Sequence, residues 1–218
     1  MQSAPKEKVL KEVRKALIKK SLKKFPSLNT TKNIYKLPKS EKDDLGVLFA
    51  EQFSQAAGNF IFCENEEILK TSLHQLISEQ GWEKVHTIDP DIQKMLDEKN
   101  IGYTDKSEDM IIMDIGITMC EFLVARSGSI VVSSKQTSGR RMVVFPPVHI
   151  VIAYSDQLVP HVKDALVGLK KRYGSRLPSQ ITAITGPSRT ADIEKTLILG
   201  AHGPKEVYVL LTDRVPSK

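Results

Sequence analysis

The 218-residue sequence predicts an α/β fold: a mostly parallel, partly mixed sheet with helices on both faces, plus an N-terminal helical arm. Three observations predict it. Short apolar runs alternate with amphipathic segments from about residue 42 onward, the rhythm of βαβ units. Some runs, Val148 to Ala153 above all, are apolar at nearly every position, as strands covered on both faces are. The region from Ser129 to Ala153 is hairpin-like, which makes part of the sheet antiparallel.

The elements follow in order. Residues 6–24 carry Val9, Leu10, Val13, Leu17, Ile18 and Leu22 at helical spacing with lysines between, a basic amphipathic helix ended by Phe25-Pro26. Residues 27–40 read as a linker, so the domains are an arm at 1–40 and an α/β domain at 41–218. A helix at 42–57 (Leu45, Leu48, Phe49, Phe53) stops at Gly58. Asn59 to Cys63 is a strand. A helix at 65–79 leads to Gly81, and Val85 to Ile88 is a strand. Asp89-Pro90 opens a short helix to Lys99. Met110 to Ile115, Ile130 to Ser133, Met142 to Phe145 and Val148 to Ala153 read as strands, the last two around Pro146-Pro147. A helix at 157–173 stops at Gly174. Ile181 to Thr185 is a strand, Gly186-Pro187 a forced turn, and Ser188-Arg-Thr190 leads into a helix start. His202-Gly203-Pro204 turns the chain into a last strand, Val207 to Leu211.

The net charge of +6 is unevenly placed. Residues 1–40 hold 12 Lys/Arg against Glu7 and Glu12, a net of +10, and the remainder is −4. The basicity belongs to the arm, whose apolar stripe and single Tyr35 do not suit nucleic acid. No apolar run reaches the roughly 18 residues of a transmembrane helix, and no secretory h-region follows the lysines. These features predict a cytoplasmic protein that binds neither membrane nor nucleic acid. The arm is expected to dock on a protein surface, its own domain's or that of a second copy. Cys63 and Cys120 stand apart in apolar settings and read as buried free thiols, too few for an iron–sulfur cluster.

Two stretches carry the chemistry. Ile184-Thr-Gly-Pro-Ser-Arg-Thr190 reads as strand, turn and helix start, where open N–H groups beside hydroxyls and a guanidinium would seat an anion. Asp114-Ile-Gly-Ile-Thr-Met-Cys-Glu121 has the same grammar, and Thr118 with Glu121 fits a capping box. Glu121 is either that cap partner or a carboxylate at the carboxyl edge of a parallel sheet, where α/β proteins place ligands. Parallel strands would bring both stretches into one pocket. Ser127-Gly128-Ser129 and Thr137-Ser138-Gly139-Arg140 form a hydroxyl- and Gly-rich stretch in which Arg140 can fork onto an anion. His149 is either a core histidine with one hydrogen bond or a residue aimed at the pocket by Pro146-Pro147. His202 sits in a functional-looking turn. Asp192 complements a helix dipole or pairs with an arginine. His74, His86 and His161 read as surface residues. No metal-ligand spacing, P-loop, G-x-G-x-x-G or G-x-S-x-G occurs, so no metal or cofactor is expected.

The stretch 184–204, with Asp114-Ile-Gly-Ile-Thr118, Ser127-Gly-Ser129, Gly139-Arg140 and Pro146-Pro-Val-His-Ile150 in the same order, resembles the LUD-domain family, the lactate-utilisation protein C proteins. The resemblance spans about residues 41–213. One departure is Arg126-Ser127-Gly128-Ser129, where the family usually has an acid and a Thr around the glycine. The resemblance implies a fold similar to the sugar-phosphate isomerase and CoA-transferase group. It implies a cluster-free subunit of a bacterial L-lactate oxidation system that binds a small carboxylate or supports iron–sulfur partner subunits. The catalytic candidates are Glu121, His149, Asp192 and His202. The ligand-binding candidates are Thr118, Ser129, Arg140, Thr185, Gly186, Ser188, Arg189, Thr190 and Gly203. The rival reading, by fold analogy, is a free-standing enzyme of the CoA-transferase or formyltetrahydrofolate-cycloligase type.

Overall fold

The computed structural model describes residues 44–138, 140–191, 197–199 and 203–213. The predicted arm at 1–40 lies outside them. Five strands make one wholly parallel sheet in the order β1-β11-β6-β3-β2: β1 (Asn59–Cys63), β2 (Val85–His86), β3 (Ile115–Met119), β6 (Val148–Tyr154) and β11 (Glu206–Thr212). The mixed part of the predicted sheet is a sheet of its own. It runs β7-β4-β5-β8, from β4 (Phe122–Val124), β5 (Ser129–Ser133), β7 (Leu158–Val159) and β8 (Ile181–Ile184), with antiparallel and parallel pairs. A small antiparallel ribbon joins β9 (Arg189–Ala191) to β10 (Leu197–Leu199).

The helices close where their sequence signals place them. In α1 (Leu45–Gln55) the Asp44 carboxylate accepts from the Val47 N–H at 3.0 Å. In α2 (Glu66–Gln80) Asn65 caps the Ile68 N–H at 2.9 Å, and Glu66 and Glu67 sit in the first turn, where the dipole favours them. Asp89 and Pro90 open α3 (Pro90–Glu98). The last helix, α4 (Val162–Tyr173), ends at Gly174.

Alternate residues of the central strands face two cores. Ile150, Ile152, Ile115, Ile117 and Leu210 pack against Leu69 and Leu73 of α2 and Ile92 and Leu96 of α3. On the opposite face Val151, Ala153, Val207 and Val209 meet Leu123, Ile130 and Val132 of the second sheet, with Phe49 and Phe53 of α1 between them. Beyond the second sheet, Val124 and Val131 pack on Ala165 and Leu169 of α4. The layering is helices, parallel sheet, mixed sheet, helix.

Four local expectations are corrected. Met110 to Ile115 is not one strand, because Ser107–Ile111 is a single 3₁₀ segment and pairing begins at Ile115. Met142 to Phe145 forms turns, bonded back to the Arg141 carbonyl. No helix starts after Gly116, since Ile115–Met119 continues as a central strand and Phe122–Val124 follows as another. Arg189–Ala191 is a strand and not a helix start. Both cysteines are buried free thiols, as the sequence predicts.

Candidate functional site

The pairing of β5 with β8, Ile130 opposite Ile184, joins two stretches flagged separately in the sequence. Ser129 Oγ lies 2.8 Å from Ser127 Oγ and 2.7 Å from Thr185 Oγ1, a chain of three hydroxyls in a half-buried setting. Two glycines let this chain press on the C-terminal end of α1. Gly128 has φ +56°, and a Cβ there would lie 2.4 Å from the Phe53 amide nitrogen. Gly186 has φ +77°, and its Cβ would lie 2.1 Å from the Ala56 carbonyl oxygen. Positive φ and backbone contact both exclude a side chain. The exposed Arg189 guanidinium donates to the same Ala56 oxygen at 3.1 Å, a cation on a helix C-terminus.

The anion seat predicted at Thr185–Thr190 loses its helix. Thr190 pairs with Ile198 as strand, and the Ser188 N–H donates to the Pro204 carbonyl at 2.8 Å instead of standing open. Gly203 lies against Ser188, where a Cβ would approach the serine Cβ to 3.1 Å. Asp192, His202 and Gly139 fall outside the described residues. What Arg189, Ser188, Thr185 and Ser129 retain is a rim of hydroxyls and one guanidinium around the end of α1.

Glu121 is not a cap partner of Thr118. Its carboxylate is 1% exposed and accepts from Ser133 Oγ at 2.6 Å, from Tyr173 Oη at 2.7 Å and from the Arg172 guanidinium. Arg172 is half exposed and lies over the Phe122 ring at 5.2 Å. The arrangement locks the last turn of α4 to the mixed sheet. Beside it, burial and the neighbouring Glu121 charge push the Cys120 thiol up, which keeps it protonated.

Thr118 points the other way, into the core between the sheets. Its hydroxyl is 2.9 Å from His149 Nε2, and both residues are 0% exposed. Burial pulls the His149 pKa down to about 4, so the ring is neutral at pH 7. Its Nδ1 has no hydrogen-bond partner among the described residues. His86, expected at the surface, is also fully buried, in the row His86–Gly116–His149 across three parallel strands. The Lys106 carbonyl can only accept, so His86 Nε2 donates to it at 3.1 Å, and Nδ1 has no hydrogen-bond partner among the described residues. Arg140 stands elsewhere, donating to Ser179 Oγ at 2.6 Å on the surface.

The structure therefore distributes the flagged residues among separate contact sets. Sequence reasoning missed Arg172 and Tyr173, which reach Glu121 across 51 and 52 residues of chain with no local signal to join them. It also missed the Ala56 carbonyl as the point on which Gly186 and Arg189 converge. The +, polar character of Arg189 was visible, but its partner lies 133 residues away.

A parallel sheet backed by a mixed sheet, with a Gly-hydroxyl junction at the end of the first helix, defines the class: an α/β protein in which two of the flagged stretches meet where β5 pairs with β8. The family model for the LUD domain matches residues 47–212, and the chain belongs to that family. Lactate utilization protein C of Halalkalibacterium halodurans is 40% identical over 104 residues, covering 46% of this chain and 45% of that protein. The protein of the same name from Geobacillus sp. WCH70 is 36% identical over 119 residues, 53% of this chain and 47% of its own length. That of Bacillus subtilis 168 is 38% identical over 104 residues, 46% of this chain and 43% of its own. The chain thus spans about half the length of the curated relatives it matches. A crystal structure of a DUF162 family protein from Deinococcus radiodurans superposes with a TM-score of 0.57 at 14% identity, covering 81% of this chain and 99% of that one. That likeness shows the fold.

Proposed function

We propose that this protein acts in L-lactate utilisation as a subunit without a redox group of its own, binding a small carboxylate and supporting iron–sulfur partner subunits. The relatives' names support the process. The Ser129–Thr185 contact supports the binding role: it unites the Ser127-Gly128-Ser129 and Thr185-Gly186 stretches at 2.7 Å. A carboxylate set on these hydroxyls would meet neutral donors and the Arg189 guanidinium, whose fork geometry matches it. The junction is built on two paired strands of the mixed sheet and a helix end, so its geometry is held by the fold and not by a loop alone.

Growth of the host on L-lactate as sole carbon source tests the process, and titration calorimetry with L-lactate and pyruvate tests the site. Deleting the gene should abolish that growth while growth on glucose continues. Ser129→Ala with Arg189→Met should weaken carboxylate binding roughly tenfold or more. Normal growth of the deletion strain on L-lactate overturns the process. Unchanged binding by the double variant overturns the site.

A further inference from the structure

One well-formed opening in the described structure holds none of the flagged residues. It is a groove of about 480 Å³, open to solvent, at the carboxyl edge of the parallel sheet between α1 and β1. Its volume is that of a ligand cleft, and its position is where α/β sheets receive ligands. The floor is Gly46 and Ala50, one helical turn apart on α1, with Leu158 and Leu211 beneath. A Cβ on Gly46 would sit 3.9 Å from both leucines, so the missing side chain deepens the trough. Val47 and Phe62 form the walls and stay 53% and 55% exposed, large apolar groups left without cover.

Charge selects the occupant. The rim carries Asp44, Glu51 and Asp213, and no Lys, Arg or His stands among the described lining residues. An apolar trough with small residues on its floor and acids on its rim complements a helix with an apolar stripe and a cationic face. A lipid surface of anionic headgroups would be repelled by the same rim. We propose that this groove is the docking site for a basic amphipathic helix of a partner protein. The small residues on α1 admit the helix backbone, Val47 and Phe62 cover its apolar stripe, and Glu51 and Asp213 pair with its lysines.

Fluorescence anisotropy on the full chain, with a labelled amphipathic Leu/Lys peptide and a Leu/Glu peptide of the same pattern, tests the site. The Leu/Lys peptide should bind, more weakly as salt rises, and the Leu/Glu peptide should not. The double variant Glu51→Lys, Asp213→Lys should lose roughly tenfold or more in affinity, and Phe62→Ser should lose a similar amount. Both sets of positions are exposed, so circular dichroism should stay native. Glu79→Lys, an exposed charge on α2, should bind as the parent does. Equal binding of both peptides, or parent-like affinity of the double variant, overturns the proposal. Self-association of the chain that Val47→Asp abolishes would assign the groove to a second copy and overturn it too.

Discussion

His149 sits between two sheets with its ring fully desolvated, and burial alone lowers its pKa from 6.5 to about 4. The unfolded chain binds a proton on this ring below pH 6.5, and the native state resists until about pH 4. Stability is therefore full above pH 6.5 and falls as pH drops through the window to 4, by up to about 3 kcal/mol. Urea titrations of the parent and of His149→Asn across that window check this: the variant should show the shallower slope. Glu121 behaves differently, because its carboxylate is already satisfied by Ser133, Tyr173 and Arg172. Glu121→Gln keeps the shape but replaces an acceptor by a donor facing Arg172 and a hydroxyl. Since Arg172 is half exposed and can rehydrate, the cost should be about 1–2 kcal/mol, seen as a lower urea midpoint at unchanged slope.

At the scale of elements, α1 ends in a Schellman motif with an unusual occupant. The Gly58 N–H bonds the Phe53 carbonyl and the Ala57 N–H bonds Ser54, both at 2.9 Å, with Ala57 at φ +63°. Asn100 takes the equivalent place after α3 at φ +54°. A Cβ in the left-handed region costs about 1 kcal/mol. Ala57 is exposed, so little burial is lost with its methyl, and Ala57→Gly should raise stability by about 0.5–1 kcal/mol in thermal melts. Lys70 joins two elements instead of ending one. Its ammonium, 9% exposed, meets Glu66 and Glu67 on α2 and Glu98 on α3, the last at 2.6 Å. Lys70→Gln should loosen α3, and amide hydrogen exchange across Pro90–Glu98 should quicken while β6 exchange does not.

The helices and the strands β1, β6, β8 and β11 were legible because cap residues and unbroken apolar runs mark them locally. The failures share one cause. Thr118-x-x-Glu121 has the spacing of a capping box, yet neither residue caps anything, because each found a distant partner: His149 for one, Arg172 and Tyr173 for the other. Gly186-Pro187 forces a turn in either case, and pairing with β10, not local propensity, makes Arg189–Ala191 a strand. His86 looked exposed because what buries it is distant in sequence or irregular: β3 on one side, and the Thr104 bridge and the Lys106 carbonyl on the other. The hydroxyl junction was legible as two separate stretches, and only the β5–β8 register made them one.

For the whole molecule, the parallel and mixed sheets share a single core, and α1 is the element wedged into it. Phe53 is its keystone by contact: it is 0% exposed, stacks on Phe49 at 5.3 Å between ring centroids, and its ring fills the space where a Gly58 side chain would be. Its backbone also carries the close approach of Gly128. Removing the ring opens a cavity that both sheets line, and strands fixed by their ladders cannot move in to fill it. Phe53→Ala should cost about 3–5 kcal/mol, a fall of roughly 6–20 °C in Tm for a chain of this size. Phe62→Ala removes the same ring from the exposed edge strand and should change stability by less than about 0.5 kcal/mol. Chemical denaturation followed by Trp82 fluorescence, which reports the α2 side of the parallel sheet, and by far-UV dichroism, which reports both sheets, separates the outcomes. Coincident transitions with a large shift for Phe53→Ala mean that one cooperative core joins the sheets. A Phe53→Ala variant in which Trp82 melts at the parent midpoint while dichroism falls early would mean that the mixed sheet folds on its own account, and the shared-core reading would be wrong.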